Sequence, residues 1–302
     1  MAYIRKKRQI NDEVIAYKFL IDEFDCTMRE AQKWIDKKRV FVDGKILQKK
    51  NCMIKGCVEV IIFEPQSSGL LPIFETPYFA VFDKPSGLLI HPNKLGVEPS
   101  LNDDIKYLFG KNANVTHRID KETSGLVLVS KDKKTEISLK KSFENREIYK
   151  EYLALVEGEI KYEVLIDARL EVDIKTSLIR IKSHVSGAGK IAKTNVVPIF
   201  FNSKKNNTLV KAIPLTGRTH QIRAHLFHMK HRIIGDPIYG IDEIFVDKYL
   251  NKQICLKERL HATKGNRLFL HANKLSFEFD GVRYNIKSKI NFEEIVDEYN
   301  NS

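Results

Sequence analysis

Long apolar runs are missing from this sequence of 302 residues. A helix that spans a bilayer needs about 20 consecutive apolar residues, whereas candidates such as Val58 to Phe63 have only the length of a strand. The basic start, M-A-Y-I-R-K-K-R, is not followed by the apolar segment and the small-residue cleavage site of a secretory signal. We therefore expect a cytoplasmic protein that does not contact membranes.

Cysteine is also scarce, with residues only at Cys26, Cys52, Cys57 and Cys255. These are too few to build a disulfide scaffold in a chain of this length. Cys52 and Cys57 do not have the C-x-x-C spacing of a zinc site. We expect all of them to be reduced thiols.

Patterns that bind phosphate or metal are lacking too. Residues 186–190, S-G-A-G-K, do not have the G-x-x-x-x-G-K-[ST] spacing of a nucleotide-binding loop, and we expect a hairpin tip there. His220, His225, His228 and His231 have helical spacing, but the glutamate of an H-E-x-x-H zinc motif and a nearby cysteine are absent. The sequence therefore predicts neither a bound metal nor a cofactor.

Positive charge is present in excess. Lys and Arg number 51 against 39 Asp and Glu, which gives a formal net charge of +12. This excess favours an anionic partner, with nucleic acid first, although a genome that uses lysine heavily would give the same totals. The length suits about two domains.

The first 65 residues form one predicted domain. Glu13–Glu23 and Thr27–Lys37 have the apolar spacing of helices. Thr27 and Glu30 have the spacing of a capping box at the start of the second helix. After this helix, V-F-V-D-G-K at residues 40–45 predicts a strand that ends in an Asp-Gly turn.

A cluster of cations lies on or just beyond the second predicted helix. Clustered cations bind phosphate groups, but they also occur on solvated helix faces. The segment T-M-R-E-A-Q-K-W-I-D-K-K-R-V-F-V-D-G-K at residues 27–45 resembles the S4 RNA-binding domain, although I-A-Y-K-F-L at residues 15–20 lacks the charged pair of that family's opening R-L-D-K-F-L. The resemblance implies RNA contacts by the cations of this cluster, which are Arg29, Lys33, Lys37, Lys38 and Arg39.

A break in regular structure separates this domain from the rest of the chain. Residues 64–69, E-P-Q-S-S-G, combine Pro, Ser and Gly, which disfavour helices and strands. We place a domain at 1–65, a linker at 66–76 and a larger domain at 77–302.

Strand patterns dominate the larger domain, and helical patterns occur near 132–146 and 219–231. We expect an α+β fold in which a largely antiparallel, mixed β-sheet is flanked by helices and loops, and a small N-terminal α/β domain is attached. The predicted strands are Tyr78–Asp83, Gly125–Ser130, Tyr149–Val156, Leu209–Ile213 and Phe269–Leu275.

The segment V-T-H-R-I-D-K-E-T-S-G-L at residues 115–126 is a polar loop that leads into an apolar strand. Catalytic groups concentrate on loops held by a sheet, and an ionised aspartate there can act as a nucleophile or a general base. In an extended backbone, Arg118 and Asp120 would face the same side. On these grounds alone, an aspartate in such a turn more often caps the turn than takes part in catalysis, and this alternative applies to Asp120.

The same loop resembles the signature H-R-L-D-x-x-T-S-G-L of the RluA-type pseudouridine synthases. Further motifs of that family follow in the family's order, so the resemblance covers nearly the whole chain. It implies an enzyme that isomerises uridine in a folded RNA. The motifs are F-D-K-P-S-G-L-L-I-H-P at 82–92, K-E-Y-L-A-L-V-E-G at 150–158, L-T-G-R-T-H-Q-I-R-A-H-L at 215–226, G-D-P-I-Y-G at 235–240 and F-L-H-A at 269–272.

Site residues follow from the resemblance. It implies that Asp120 is the catalytic carboxylate, that Tyr152 stacks on the target base and that Arg218 pairs with Asp120 to keep it charged. Arg118 would occupy the space of the extruded nucleotide. Without the resemblance, Tyr152 would be an ordinary strand residue and Arg218 a contact to phosphate. The implied reaction needs no metal and no cofactor.

The implied partner is RNA, bound by a monomer. An S4-like domain ahead of such a catalytic domain resembles the family members that act on large-subunit ribosomal RNA, so we expect ribosomal RNA, with transfer RNA as the alternative. Two other classes stay open. One is a non-catalytic RNA-binding or ribosome-assembly factor, and the other is an RNA-binding module fused to a hydrolase.

Overall fold

A computed structural model gives the positions of most of the chain. The model describes residues 3–92, 98–172, 179 and 182–301. Among these residues, no helix is long and apolar enough to cross a bilayer.

The chain divides into two compact units. The first consists of Met1–Ser68 and His91–Tyr107, and the second of Gly69–Ile90 and Leu108–Ser302. The first unit thus includes a segment that lies beyond the predicted linker. The division into 1–65, 66–76 and 77–302 stays a prediction.

The first unit is built on an antiparallel sheet. Its elements are β1 (Tyr3–Ile15), α1 (Ala16–Phe24), α2 (Met28–Asp36), β2 (Val40–Val42), β3 (Lys45–Ile46) and β4 (Met53–Phe63). The four strands lie in the order β1-β4-β2-β3, so β1 forms one edge. The core of this unit contains Leu20 and Ile35 of the helices together with Val58 and Val60 of β4.

One prediction for this unit is confirmed and one is wrong. The Thr27 side chain accepts a hydrogen bond from the backbone N–H of Glu30, whose side chain accepts one from the Thr27 backbone, so the capping box is present. The first helix begins at Ala16 and not at Glu13, because the chain up to Ile15 pairs with β4. This pairing with a distant strand overrides the local helical pattern.

The remaining elements belong to the second unit, except that α3 begins in the first unit and ends in the second. The strands are β5 (Phe74–Glu75), β6 (Phe79–Lys84), β7 (Asn114–Val115), β8 (Ser124–Ser130), β9 (Tyr149–Glu157), β10 (Val164–Asp167), β11 (Leu170–Val172), β12 (Ser183–Val185), β13 (Lys193–Asn202), β14 (Asn207–Pro214), β15 (Leu270–Phe279) and β16 (Val282–Lys287). The helices are α3 (Leu101–Phe109), α4 (Lys133–Glu144), α5 (Gln221–His228), α6 (Glu243–Leu250), α7 (Leu256–Thr263) and α8 (Phe292–Asn301).

One large mixed sheet organises the second unit. Its strands lie in the order β10-β13-β14-β9-β15-β8-β6-β5, with β16 beside β15 and β7 beside β8. All neighbours in it are antiparallel except β15 and β8, which run parallel. The predicted α+β fold with a largely antiparallel sheet is therefore confirmed, and the helical patterns near 132–146 and 219–231 correspond to α4 and α5.

The centre of this sheet is closely packed at Gly125, directly after the polar loop. Gly125 has φ +104°, and a Cβ atom there would lie 2.3 Å from the carbonyl oxygen of Ala272 on β15. Only glycine allows both this backbone conformation and this approach. The glycine of the signature thus lets β8 and β15 lie side by side and fixes where the loop emerges.

Candidate active site

The polar loop before β8 is held from both sides. The Leu128 N–H donates to His117 Nε2 at 3.0 Å, and the Thr116 hydroxyl donates to Leu128 O at 2.8 Å. From the neighbouring F-D-K-P segment, the buried Lys84 Nζ donates to Lys121 O at 2.9 Å. The loop between these anchors carries Asp120, so the backbone around this carboxylate is fixed by the sheet.

Asp120 forms an ion pair with a buried arginine. Arg223 Nη1 lies 3.0 Å from Asp120 Oδ2, while Arg223 Nε and Nη2 donate to Asp236 at 2.8 Å and 2.7 Å. The side chain of Arg223 is 2% exposed and that of Asp120 is 28% exposed. One guanidinium therefore joins a buried structural carboxylate to a carboxylate that solvent can reach.

The charges of this cluster support one another. Burial alone would lower the pKa of Arg223, but Asp236 and then Asp120 outweigh it, and the pKa is raised. Burial would raise the pKa of Asp236, but Arg223 and the backbone N–H groups of Ile238 and Tyr239 hold it below its usual range. Arg223 and Asp236 are thus a buried, hydrogen-bonded ion pair at neutral pH.

The observed partner of Asp120 is Arg223, whereas the predicted partner is Arg218. Arg218 Nε donates to the carbonyl oxygen of Ile191 at 3.0 Å, and among the described residues it forms no ion pair with Asp120. The reason is the start of α5. Arg218 lies in the turn before this helix, whereas Arg223 lies inside it on the buried face. The pairing attributed to Arg218 belongs to Arg223.

Tyr152 lies on β9, opposite Ala212 of β14 and Ala272 of β15. Its side chain is buried, with 9% of the residue exposed. Burial, followed by the charge of Asp120, raises the pKa of Tyr152, so the phenol is neutral. Tyr152 thus lies between two alanines of the neighbouring strands, close enough to Asp120 to respond to its charge.

Arg118 points into solvent. The residue is exposed, and it makes no hydrogen bond or ion pair with any residue that the structure describes. The next residue, Ile119, is buried. Arg118 thus presents an exposed guanidinium two positions from Asp120.

His220 and Tyr239 complete the surroundings of Asp120, and neither was predicted as part of the site. His220 Nε2 lies 3.8 Å from Asp120 Oδ2, and burial followed by Arg223 lowers the pKa of His220 to about 4. The Tyr239 hydroxyl lies 3.4 Å from His220 Nδ1. The Arg223 guanidinium also lies over the Tyr239 ring, at 5.2 Å from its centroid.

Two of the other histidines of the predicted helix form hydrogen bonds that hold the fold together. His225 Nδ1 lies 2.9 Å from the Thr194 hydroxyl and His225 Nε2 lies 2.9 Å from Ala168 O. His231 Nδ1 lies 2.8 Å from Glu157 O. These contacts give His225 and His231 roles in packing that the sequence pattern does not reveal.

Buried neutral histidines make the fold sensitive to acid. Burial, followed by Arg267, lowers the pKa of His271 to about 3 from an ordinary value of 6.5, so the unfolded state binds more protons between these values. We expect the free energy of unfolding to fall as the pH drops below 6.5, by about 1.4 kcal/mol per pH unit for each such histidine. Chemical denaturation between neutral and acidic pH measures this slope.

A substitution isolates the contribution of His271. In His271→Gln the slope should be shallower than in the wild type, whatever the change in stability at neutral pH. His184 is exposed on β12, so His184→Gln should keep the wild-type slope. A slope in His271→Gln as steep as that of the wild type would contradict the account.

The cations predicted to bind RNA lie on two different surfaces of the first unit. Arg29, Lys33, Lys37 and Lys38 are exposed on α2 or directly after it. Arg39 instead lies over the ring of Tyr3, at 4.3 Å from its centroid, and precedes β2. The structure thus separates Arg39 from the other members of the predicted cluster.

Comparisons with known proteins show which family the chain resembles. Residues 78–228 match the family model of RNA pseudouridylate synthases. An uncharacterized RNA pseudouridine synthase of Helicobacter pylori (strain J99) is 37% identical over 290 residues, which cover 95% of this chain and 96% of that protein. Ribosomal large subunit pseudouridine synthase D of Escherichia coli (strain K12) is 28% identical over 230 residues, 72% of this chain and 69% of that one.

A solved structure shares the fold. Human RNA pseudouridylate synthase domain containing 1 has a TM-score of 0.57 and 22% sequence identity, over 80% of this chain and 98% of that chain. The family match extends over the loop of Asp120, the strand of Tyr152 and the helix of Arg223. The chain belongs to the RNA pseudouridine synthase family and is accordingly an isomerase.

Proposed function

We propose that this protein converts uridine to pseudouridine in structured RNA with Asp120 as the catalytic carboxylate. The observation that carries the proposal is the ion pair between the partly exposed Asp120 and the buried Arg223. Because Arg223 is itself fixed by Asp236, it can hold the Asp120 carboxylate in one orientation. An oriented carboxylate that solvent can reach can act on a sugar.

Two routes use this carboxylate. In one, an oxygen of Asp120 attacks the ribose C1′, and the electron pair of the C1′–N1 bond leaves with the uracil. In the other, Asp120 removes a proton from the sugar as that bond breaks, which leaves a glycal. In both, the uracil rotates and its C5 forms the new bond to C1′. In the first route this step breaks the bond between C1′ and Asp120, and in the second Asp120 returns the proton to the sugar carbon that lost it. The C5 proton is then lost, and N1 of the uracil gains a proton. Atoms and electrons balance without an oxidant, a reductant or a group donor.

Tyr152 and Arg118 handle the nucleotide around this chemistry. An enzyme that acts on a base in folded RNA must flip it out of the stack, at a cost of a few kcal/mol. We assign to Tyr152 the stacking contact that offsets part of this cost. To Arg118, with its exposed guanidinium, we assign the space that the nucleotide leaves.

Loss of the Tyr152 ring tests the stacking contact. Tyr152→Ala should raise the KM for RNA by about five- to 150-fold, because stacking of a base on an aromatic ring contributes about 1–3 kcal/mol. Tyr152→Phe keeps the ring and should bind RNA like the wild type. Steady-state pseudouridine formation gives both values, and equal KM values for Tyr152→Ala and Tyr152→Phe would contradict the stacking role.

Large-subunit ribosomal RNA is the substrate that we propose. The Escherichia coli relative is named for the large ribosomal subunit. The first unit, which we propose to be an S4-like domain, would add phosphate contacts through Arg29, Lys33, Lys37 and Lys38, all of them exposed. Such a protein would act in the cytoplasm as a monomer.

Purified protein with defined RNAs tests this choice. Unmodified transcripts of large-subunit ribosomal RNA, small-subunit ribosomal RNA and transfer RNA are incubated with the enzyme, and pseudouridine is mapped by mass spectrometry. We expect modification at defined positions of the large-subunit transcript. Modification of transfer RNA alone would assign the alternative substrate, and no modification of any transcript would count against the proposed reaction.

A further inference from the structure

The sheet of the first unit has two unlike faces. On one face Ile10, Val40, Val58 and Val60 are buried against α1 and α2. On each strand, the neighbours of these buried residues point to the opposite side of the sheet, since side chains alternate along a strand. We call this second side the open face. It carries Tyr3, Arg5, Lys7, Arg39, Phe41 and Phe63.

Aromatic rings and guanidinium groups alternate on the open face. Tyr3 lies opposite Phe63, and their rings meet edge to face with centroids 5.5 Å apart. The Arg39 guanidinium lies over the Tyr3 ring at 4.3 Å, and the Arg5 guanidinium lies over the Phe41 ring at 4.6 Å. All five residues keep part of their surface exposed to solvent.

The cations of the open face outnumber its acids. Glu59 is 8% exposed, and its carboxylate pairs with Arg5 at 2.9 Å and with Lys7 at 2.7 Å. The side chains of Arg5 and Lys7 are 49% and 64% exposed, so both still meet solvent. One carboxylate thus anchors two cations on the sheet, and Arg39 adds a third.

From this arrangement we infer that the open face binds an unpaired segment of RNA. Bases stack on aromatic rings and on guanidinium planes, whereas phosphates pair with Lys and Arg. A rigid sheet that presents both kinds of group at the spacing of neighbouring strands suits a single strand with splayed bases. A duplex hides the faces of its bases, so it gains only the charge contacts. The inference takes from the proposed function only that RNA is the partner.

Binding of a uridine-free RNA strand tests the open face apart from the catalytic pocket. The probe is a fluorescein-labelled strand of adenosine and cytidine, about ten nucleotides long, as suits one binding surface. Anisotropy titrations of the full chain should give a Kd for Tyr3→Ala about five- to 150-fold above that of the wild type. Tyr3→Phe keeps the ring and should keep the wild-type Kd.

Charge is tested in the same titrations. Arg39→Gln should raise the Kd and reduce the slope of log Kd against log salt by about 0.7, the value for one phosphate contact on a single strand. Lys18→Gln is the matched control, because Lys18 is exposed on α1 and away from the open face. Ultraviolet cross-linking of the wild type to the probe should give adducts on Tyr3 or Phe41. This measurement uses no variant, so it does not depend on whether a variant folds.

Several results would overturn the inference. The first is an unchanged Kd in Tyr3→Ala, and the second is a loss of affinity for duplex RNA in Tyr3→Ala as large as that for the single strand. The third is cross-links only outside residues 3–63. The fourth is a wild-type dimer that the Tyr3→Ala substitution dissociates. Pseudouridine formation by the wild type, measured in parallel, separates this inference from the proposed function. If Tyr3→Ala loses binding of the single strand and the wild type forms no pseudouridine, the result supports RNA binding by the open face and contradicts the proposed reaction.

Discussion

Replacement of Asp120 by asparagine is expected to abolish pseudouridine formation and to leave the fold intact. Asparagine has nearly the same shape and can still accept a hydrogen bond from Arg223 Nη1, which lies 3.0 Å from Asp120 Oδ2. Its neutral amide neither attacks C1′ nor removes a sugar proton. We expect kcat to fall by at least about four orders of magnitude, as for the loss of a nucleophile in other enzymes.

A second aspartate provides the matched control for this variant. The Asp242 carboxylate caps α6 by accepting a hydrogen bond from the Phe245 N–H at 2.9 Å. Asparagine caps helices as well as aspartate does, so Asp242→Asn should keep wild-type activity and stability. Activity of Asp120→Asn within about tenfold of the wild type, a barrier change of only about 1.4 kcal/mol, would contradict the catalytic role.

Loss of Arg223 is expected to have the largest effect on stability. Arg223→Ala removes the partner of Asp236, which is fully buried, and leaves that carboxylate without a counter-charge. Breaking a buried ion pair in this way lowers the free energy of unfolding by about 3–5 kcal/mol. Chemical denaturation at neutral pH measures the change. Activity should fall as well, because Asp120 loses its orientation.

Two further variants distinguish the roles of the arginines. Arg223→Lys keeps the charge but lacks the forked donors that bridge Asp120 and Asp236, so its stability and kcat should lie between those of Arg223→Ala and the wild type. Arg218→Ala loses one hydrogen bond to a carbonyl group, and its unfolding free energy should fall by about 1 kcal/mol or less. A larger loss of stability in Arg218→Ala than in Arg223→Ala would reverse the assignment.

Local signals predict much of this fold because they report local chemistry. The Thr27 and Glu30 capping box lies within one helical turn, and its two hydrogen bonds form wherever α2 forms. Alternating and continuous apolar runs locate β6, β8, β9, β14 and β15 because each of these strands is buried in the sheet. The strand β1 escapes such signals, since it is polar and exists through its pairing with β4.

The site shows the same division between local and long-range information. A sequence signature places Asp120 on its loop, but the choice between Arg218 and Arg223 depends on where α5 begins and which face it buries. One local signal was available. An arginine flanked by Ile222 and Leu226 on the apolar face of a helix requires a buried carboxylate, and Arg223 has Asp236.

His220 and Tyr239 were beyond the reach of sequence reasoning. His220, whose backbone adopts φ +52° directly before α5, lies 3.8 Å from Asp120. Tyr239 reaches the site from the motif at 235–240, where its hydroxyl also contacts the backbone of Ser183. No periodic pattern connects these segments, so their meeting is a property of the tertiary fold.

The most direct test of the central proposal is a map of pseudouridine in total ribosomal and transfer RNA from a strain that lacks this gene. The strain is complemented with the intact protein, with Asp120→Asn or with Asp242→Asn. We expect a specific site in large-subunit ribosomal RNA to lose its pseudouridine and to regain it with the intact protein and Asp242→Asn only. Full restoration by Asp120→Asn, or a map that does not change when the gene is lost, would contradict the proposal.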